Sequence, residues 1–127
     1  MTAMTSTPEN IIELKPNEVF VFGSNLSGQH VGGAAALAFE KFGAEWGVGV
    51  GLCGQCYAFP TLGTGFGKLT KSLLERARDD FFQVAELFSG KTFLLTRVGC
   101  GIAGYPEEDM KALFADAPPN VVKPEGW

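Results

Sequence analysis

The chain has little of what several functional classes require: one histidine, three cysteines, two tyrosines and two tryptophans in 127 residues, with ten basic residues against fourteen acidic ones. A net charge of −4 leaves no dense Lys/Arg face, which excludes a protein that grips duplex nucleic acid by counterion release. No apolar run approaches the roughly 20 residues of a membrane span. The first ten residues are polar and lack the apolar stretch of a secretory leader, so a cytoplasmic protein without membrane partners is expected. The oligomeric state is not legible.

Three cysteines are too few for a disulfide framework. Cys53 and Cys56 have the C-x-x-C spacing, but Cys56 runs into Tyr57-Ala58-Phe59-Pro60, which reads as a strand end and not as the helix N-terminus that acidifies a redox thiol. A zinc site would need Cys53, Cys56, Cys100 and His30 together. The preferred reading is small buried thiols in a reducing compartment, with no metal and no cofactor.

What the chain does have is apolar bulk and glycine: 46% hydrophobic residues, eleven phenylalanines and seventeen glycines. A chain of this length suits one domain of about 100–150 residues. Residues 1–17 read as a polar lead-in, punctuated by Pro8, Pro16 and Asn17, and 18–127 as one domain. Glu18 to Gly23 is β-branched and aromatic throughout, as suits a strand buried on both faces. After a loop over 24–33, Ala34, Ala35, Leu37, Ala38 and Phe42 take helical spacing, and Gly43 ends that helix in the left-handed conformation. Glycines at 47, 49, 51 and 54 predict a loop or irregular edge close to a ligand.

Cys56 to Phe59 predicts a second strand, with a flexible connection from Pro60 to Gly67. A long helix follows, carried by Leu73, Leu74, Ala77, Phe81, Val84, Ala85 and Phe88, with Ser72 and Glu75 as a capping box and Gly90 as its stop. Thr92 to Val98 is a strand, Pro106 opens a short helix bearing Met110, Leu113 and Phe114, and 120–123 is a last strand. Strand and helix alternate, which predicts an α/β fold with a mixed, mostly parallel sheet and helices on both faces.

Ligands of open α/β sheets bind at the carboxyl ends of strands. Two strand-to-helix joints there are glycine-rich. Gly99, Gly101 and Gly104 allow backbone N–H groups to converge on an anion and adopt positive φ without steric cost. Glu107, Glu108 and Asp109 in the next helical turn would repel an anion if they faced inward, so they are expected to face solvent. In the first loop, the Asn25 amide suits a ribose hydroxyl or a water, and the His30 imidazole suits proton transfer near neutral pH. Local turn bonding is the alternative for both. Tyr105 suits stacking on a sugar or base, or covering the core. Lys68 reads as a surface lysine before a phosphate contact.

The run Val19-Phe20-Val21-Phe22-Gly23-Ser24-Asn25-Leu26-Ser27-Gly28-Gln29-His30, followed by Gly33-Ala34-Ala35, Phe42-Gly43-Ala44, Pro60-Thr61 and Gly99-Cys100-Gly101-Ile102-Ala103-Gly104-Tyr105, resembles a family of small macro-domain-like proteins of phages and bacteria. The motif order is also similar to macrodomains that remove ADP-ribose from modified molecules. Where that family usually has His-Gly-x-Gly, this chain has His30-Val31-Gly32-Gly33. No acidic residue answers to the one that holds adenine in many macrodomains, and base identity stays open. The resemblance implies a three-layer macro-domain-like fold and a phosphate-bearing nucleotide related to ADP-ribose as the small-molecule partner. It places ligand contacts at Gly23, Ser24, Asn25, Gly32, Gly33, Thr61, Gly99, Cys100, Gly101, Ile102, Ala103, Gly104 and Tyr105.

Three functions are compatible with this reading. The first is a module that senses or sequesters such a nucleotide, a use a phage would have against host nucleotide-based defence. The second is a hydrolase releasing ADP-ribose, with Asn25 positioning a water and His30 as base. The third is an interaction domain without a ligand.

Overall fold

The computed structural model describes residues 5–101 and 103–127. The elements run β1 (Glu18–Asn25), α1 (Gly33–Lys41), β2 (Gly51–Cys53), β3 (Cys56–Leu62), α2 (Lys71–Leu87), β4 (Thr92–Leu95), α3 (Glu107–Leu113) and β5 (Val121–Val122). They form an α/β domain around one five-stranded mixed sheet of order β2-β3-β1-β4-β5. The β1–β3, β1–β4 and β4–β5 pairs are parallel, and β2 hairpins antiparallel onto β3.

Alternation along β1 builds two cores. Val19 and Val21 face one side, with Tyr57 and Phe59 of β3, Phe93 and Leu95 of β4, Leu74, Phe81 and Ala85 of α2, and Met110 of α3 with the adjoining Phe114. Phe20 and Phe22 face the other, with Cys56 and Ala58 of β3, Leu94 of β4, and Ala35 and Ala38 of α1. A central strand buried on both faces has no polar side, which is why β1 reads as a continuous apolar run. Phe81 is the hub of the larger core, with ring centroids 4.9 Å from Tyr57, 5.8 Å from Phe93 and 6.1 Å from Phe59.

Several local expectations shift. The cap of α2 is Thr70, whose side chain accepts from the Leu73 N–H at 3.3 Å, so the Ser72/Glu75 box falls inside the helix. Gly43 does take the left-handed conformation after α1, with φ 83°, whereas Gly90 does not, and α2 has already ended at Leu87. Strand β3 continues through Pro60 to Leu62, and β4 stops at Leu95, where Thr96 turns its N–H and hydroxyl onto the Val21 carbonyl.

The described part of residues 1–17 is packed onto the domain. Thr7 bridges to Pro124 and donates from its N–H and hydroxyl to the Lys123 and Val122 carbonyls, and Ile11 is buried in the smaller core. No helix among the described residues is long and apolar enough to cross a membrane.

Candidate functional site

The parallel strands β1, β3 and β4 end on the same edge of the sheet, and their loops surround a cleft of about 260 Å³. A larger hollow of about 630 Å³ lies between Thr5, Ser6, Pro119 and residues 121–127, none of which lines that cleft. The strand-end cleft is the one that backbone geometry shapes. Its first wall is the end of β1 and the start of α1: Gly23, Ser24, Asn25, Gly32, Gly33, Ala34 and Ala35 all line it. No side chain caps α1, and its first turn, which lines the cleft, carries no acidic residue, so the positive dipole end of the helix is uncompensated there.

Asn25 is buried and engaged through both its amide oxygen and its amide nitrogen. Its Oδ1 accepts from the Gln29 N–H at 2.9 Å and the Ser27 hydroxyl at 2.8 Å, and its Nδ2 donates to the Gln29 carbonyl at 2.8 Å. The amide thus closes the 25–29 loop on itself. The Ser24 hydroxyl donates to the Gly49 carbonyl at 2.5 Å. A Cβ at Gly49 would sit 2.1 Å from the Asn25 carbonyl oxygen, and one at Gly28 would sit 2.3 Å from the Gly47 carbonyl carbon. Gly49 is therefore explained by backbone meeting the first loop, Gly54 by the close backbone of Gly43, and Gly47 and Gly51 by φ of 93° and 91°; none of the four lines the strand-end cleft.

The second wall is the loop after β4. Gly99 and Gly104 have φ of 78° and 71°, as a tight anion-cradling loop requires, but Gly101 lies outside the left-handed region. Turns inside the loop use the N–H groups of Cys100, Gly104 and Tyr105, which donate to Arg97, Gly101 and Gly99 carbonyls. The N–H groups of Gly99 and Gly101 are not among the donors of those turns, and both residues line the cleft together with Thr96, Arg97, Val98 and Ala103. A Cβ added to Gly101 meets nothing within 4 Å, so this part of the wall is open main chain.

Tyr105 braces the loop from behind. Its hydroxyl lies 2.7 Å from the Leu69 carbonyl and 3.0 Å from that of Thr61, and Lys68 Nζ sits 5.0 Å from the ring centroid while donating to the Gly104 carbonyl at 3.1 Å. Neither Tyr105 nor Gly104 nor Lys68 lines the cleft, whereas Thr61 does. Cys100 also stays out of the lining; burial pushes its thiol up, Glu107 adds to the effect and Arg97 opposes it. Ile102 lies outside the described residues.

His30 is 3% exposed and turned into an aromatic nest, with ring centroids 5.3 Å from Phe22, and 6.2 Å from both Phe39 and Trp46. Its Nε2 meets the Glu45 carbonyl at 2.8 Å. It does not line the cleft, so Asn25 and His30 do not converge on one reacting position.

The cysteines are separated by the sheet. Cys53 and Cys56 face each other across the β2–β3 hairpin, and Cys56 belongs to the smaller core, while Cys100 packs against the larger one on the other face. Burial pushes the Cys56 thiol to about 12, with Cys53 adding to the rise and a backbone N–H at Ala44 opposing it.

Three further residues, Arg97, Val31 and Phe66, shape the cleft without being among the contacts expected from the sequence. Arg97 is its charged lining residue, and its guanidinium meets Glu9 at 3.1 Å, Glu107, and the Glu125 carbonyl at 2.9 Å, which ties both chain ends to the site. Glu107, Glu108 and Asp109 are exposed. Val31 and Phe66 line the cleft from two separate loops while 67% and 45% exposed. Phe66 is also the one non-glycine residue with positive φ among the described residues, at 63°, a conformation that costs a side-chain-bearing residue about 1–2 kcal/mol. The signal for it was present in Gly63-Thr64-Gly65-Phe66-Gly67, a bulky aromatic in a run otherwise built for turning. Comparison with protein-family models, curated proteins and solved structures finds no match to this chain.

Proposed function

We propose that this chain binds a phosphate-bearing nucleotide of the ADP-ribose type in the strand-end cleft, as a sensing or sequestering module in the manner of a macrodomain. The observation that carries the reading is the pair of glycine-bearing main-chain segments that line one cleft. The uncapped N-terminus of α1, at Gly32 to Ala35, and the Gly99–Gly101 stretch both present main-chain N–H groups. Anions favour helix N-termini and glycine nests because the donors are fixed and no side chain must be reorganised.

Binding is favoured over hydrolysis by the chemistry of the lining. Among the described residues that line the cleft there is no carboxylate, imidazole or thiol, and its one ionisable side chain, Arg97, is held by Glu9 and Glu107. The Asn25 amide bonds within its own loop, and the buried His30, with Nε2 on the Glu45 carbonyl and Nδ1 unpartnered among the described residues, does not line the cleft. A water in this cleft would find no group among them to take its proton.

Thermal unfolding with a ligand series tests the reading. ADP-ribose at about 100 times its Kd adds ~2.7 kcal/mol to stability and raises Tm, while adenosine, which lacks phosphate, does not. The ADP-ribose is recovered unchanged. Absence of a shift with ADP-ribose, NAD, its cyclic derivatives and dinucleotides would remove the nucleotide reading, and turnover of an ADP-ribosylated substrate would move it to the hydrolase class.

A further inference from the structure

We infer that Phe66, with Val31 opposite it in the chain's loop order, forms an aromatic platform for the flat ring of the bound ligand, so that the site takes ring-bearing phosphates by stacking. The inference rests on the cleft being the nucleotide site.

The cleft is chemically asymmetric. Main-chain donors from α1 and the loop after β4 supply an anion-holding part, whereas Val31, Leu62 and Phe66 supply apolar surface without a charged group. Val31 follows β1 and Phe66 follows β3, so two different loops each bring an exposed apolar side chain to one cavity. Exposed apolar side chains are unremarkable singly, but two lining the same concave site mark a binding surface.

The backbone of Phe66 strengthens the assignment. Its N–H donates to the Gly63 carbonyl at 3.1 Å, and the Gly63 N–H donates to the Gly67 carbonyl at 2.8 Å, which closes the loop and holds φ at 63°. Gly65 and Gly67 flank it, and a Cβ on either would meet nothing within 4 Å. The left-handed position thus falls on the aromatic although glycines stand on both sides. Packing does not explain the choice, because the ring is 45% exposed and belongs to neither core. Strain held at a ligand-facing residue places the side chain where binding uses it.

Stacking reads the face of a ring and is tolerant of its edge. The side-chain amides of the lining, Asn25 and Gln29, belong to the end of β1 and the loop after it and not to the Phe66 loop, so stacking on Phe66 itself should serve adenine, guanine and uracil diphosphates alike.

The test compares wild type, Phe66→Ala, Phe66→Asn and Phe66→Trp by calorimetry, with ADP-ribose and with ribose 5-phosphate, which lacks the base. Loss of the ring should weaken ADP-ribose binding roughly 5- to 140-fold and leave ribose 5-phosphate unchanged. Phe66→Asn, whose side chain tolerates positive φ, should lose affinity with Tm held within a few degrees. Phe66→Trp should retain affinity, with quenching of the introduced indole by the stacked base. Equal ADP-ribose affinity in wild type and Phe66→Ala would overturn the platform while leaving the cleft reading intact. If wild type binds neither probe, the cleft reading falls and the platform with it.

Discussion

The most demanding consequence of the open main chain at Gly101 is that Gly101→Asp should abolish phosphate binding at no cost to folding. Gly101 has ample space, since an added Cβ contacts nothing within 4 Å, and its φ lies outside the left-handed range, so an L side chain is tolerated. The residue lines the cleft, so a carboxylate placed there adds negative charge at the proposed phosphate site. A carboxylate about 5 Å from one phosphate charge, at an effective dielectric near 20, is repelled by on the order of 3 kcal/mol, or about two orders of magnitude in Kd. A diphosphate roughly doubles the repulsion before salt screening. The assay is calorimetric titration with ADP-ribose alongside thermal unfolding. Gly101→Ala is the control and should bind within a few-fold of wild type, because it adds neither charge nor strain. Gly99 behaves differently: φ is 78° and a Cβ would sit 3.0 Å from Met110 Cε and Tyr105 Cδ2, so Gly99→Ala should lower Tm. Wild-type affinity in Gly101→Asp would refute the placement of the anion on this loop.

Asn25→Ala should destabilise the fold by about 2 kcal/mol and lower Tm by roughly 5–10 °C, because the loop's internal hydrogen bonds to Gln29 and Ser27 vanish; an unchanged melt would show that the amide is free for ligand. Tyr105→Phe should cost about 1 kcal/mol through loss of the hydroxyl bond to Leu69 or Thr61, and should weaken ligand binding without a ligand contact being removed; hydrogen exchange across residues 99–104 reads the loosening. Stability should decline above pH 9, since the unfolded Cys56 thiol ionises from its ordinary value of 9.0 while the folded thiol stays protonated to about 12. The decline reaches about 1.4 kcal/mol per pH unit per group, and urea unfolding at pH 8 to 10.5 should give a shallower slope for Cys56→Ala; parallel slopes would contradict the burial of this thiol.

The alternation of bulky apolar runs with helical spacing was enough to specify an α/β chain with a mostly parallel sheet, because β1, buried on both faces, admits no polar position and α2 shows its apolar stripe directly. The glycine joints at 23–33 and 99–104 were equally legible, since only residues without Cβ suit tight loops at strand ends. Tertiary structure decided what each of those residues does. Asn25 and His30 look like chemistry in a loop, but the first closes its own turn and the second is sealed among Phe22, Phe39 and Trp46. The glycines of 47–54 look like a ligand loop, yet Gly49 instead lets backbone lie against Asn25 and Leu26, and Gly54 against Gly43. The Asn25 turn is local, but the burial of His30 and the approach of Gly49 to Asn25 join segments from different parts of the chain, which no local spacing records. The same holds for Phe66, whose exposure and positive φ exist only once the Gly63–Gly67 loop has closed beside the end of β1.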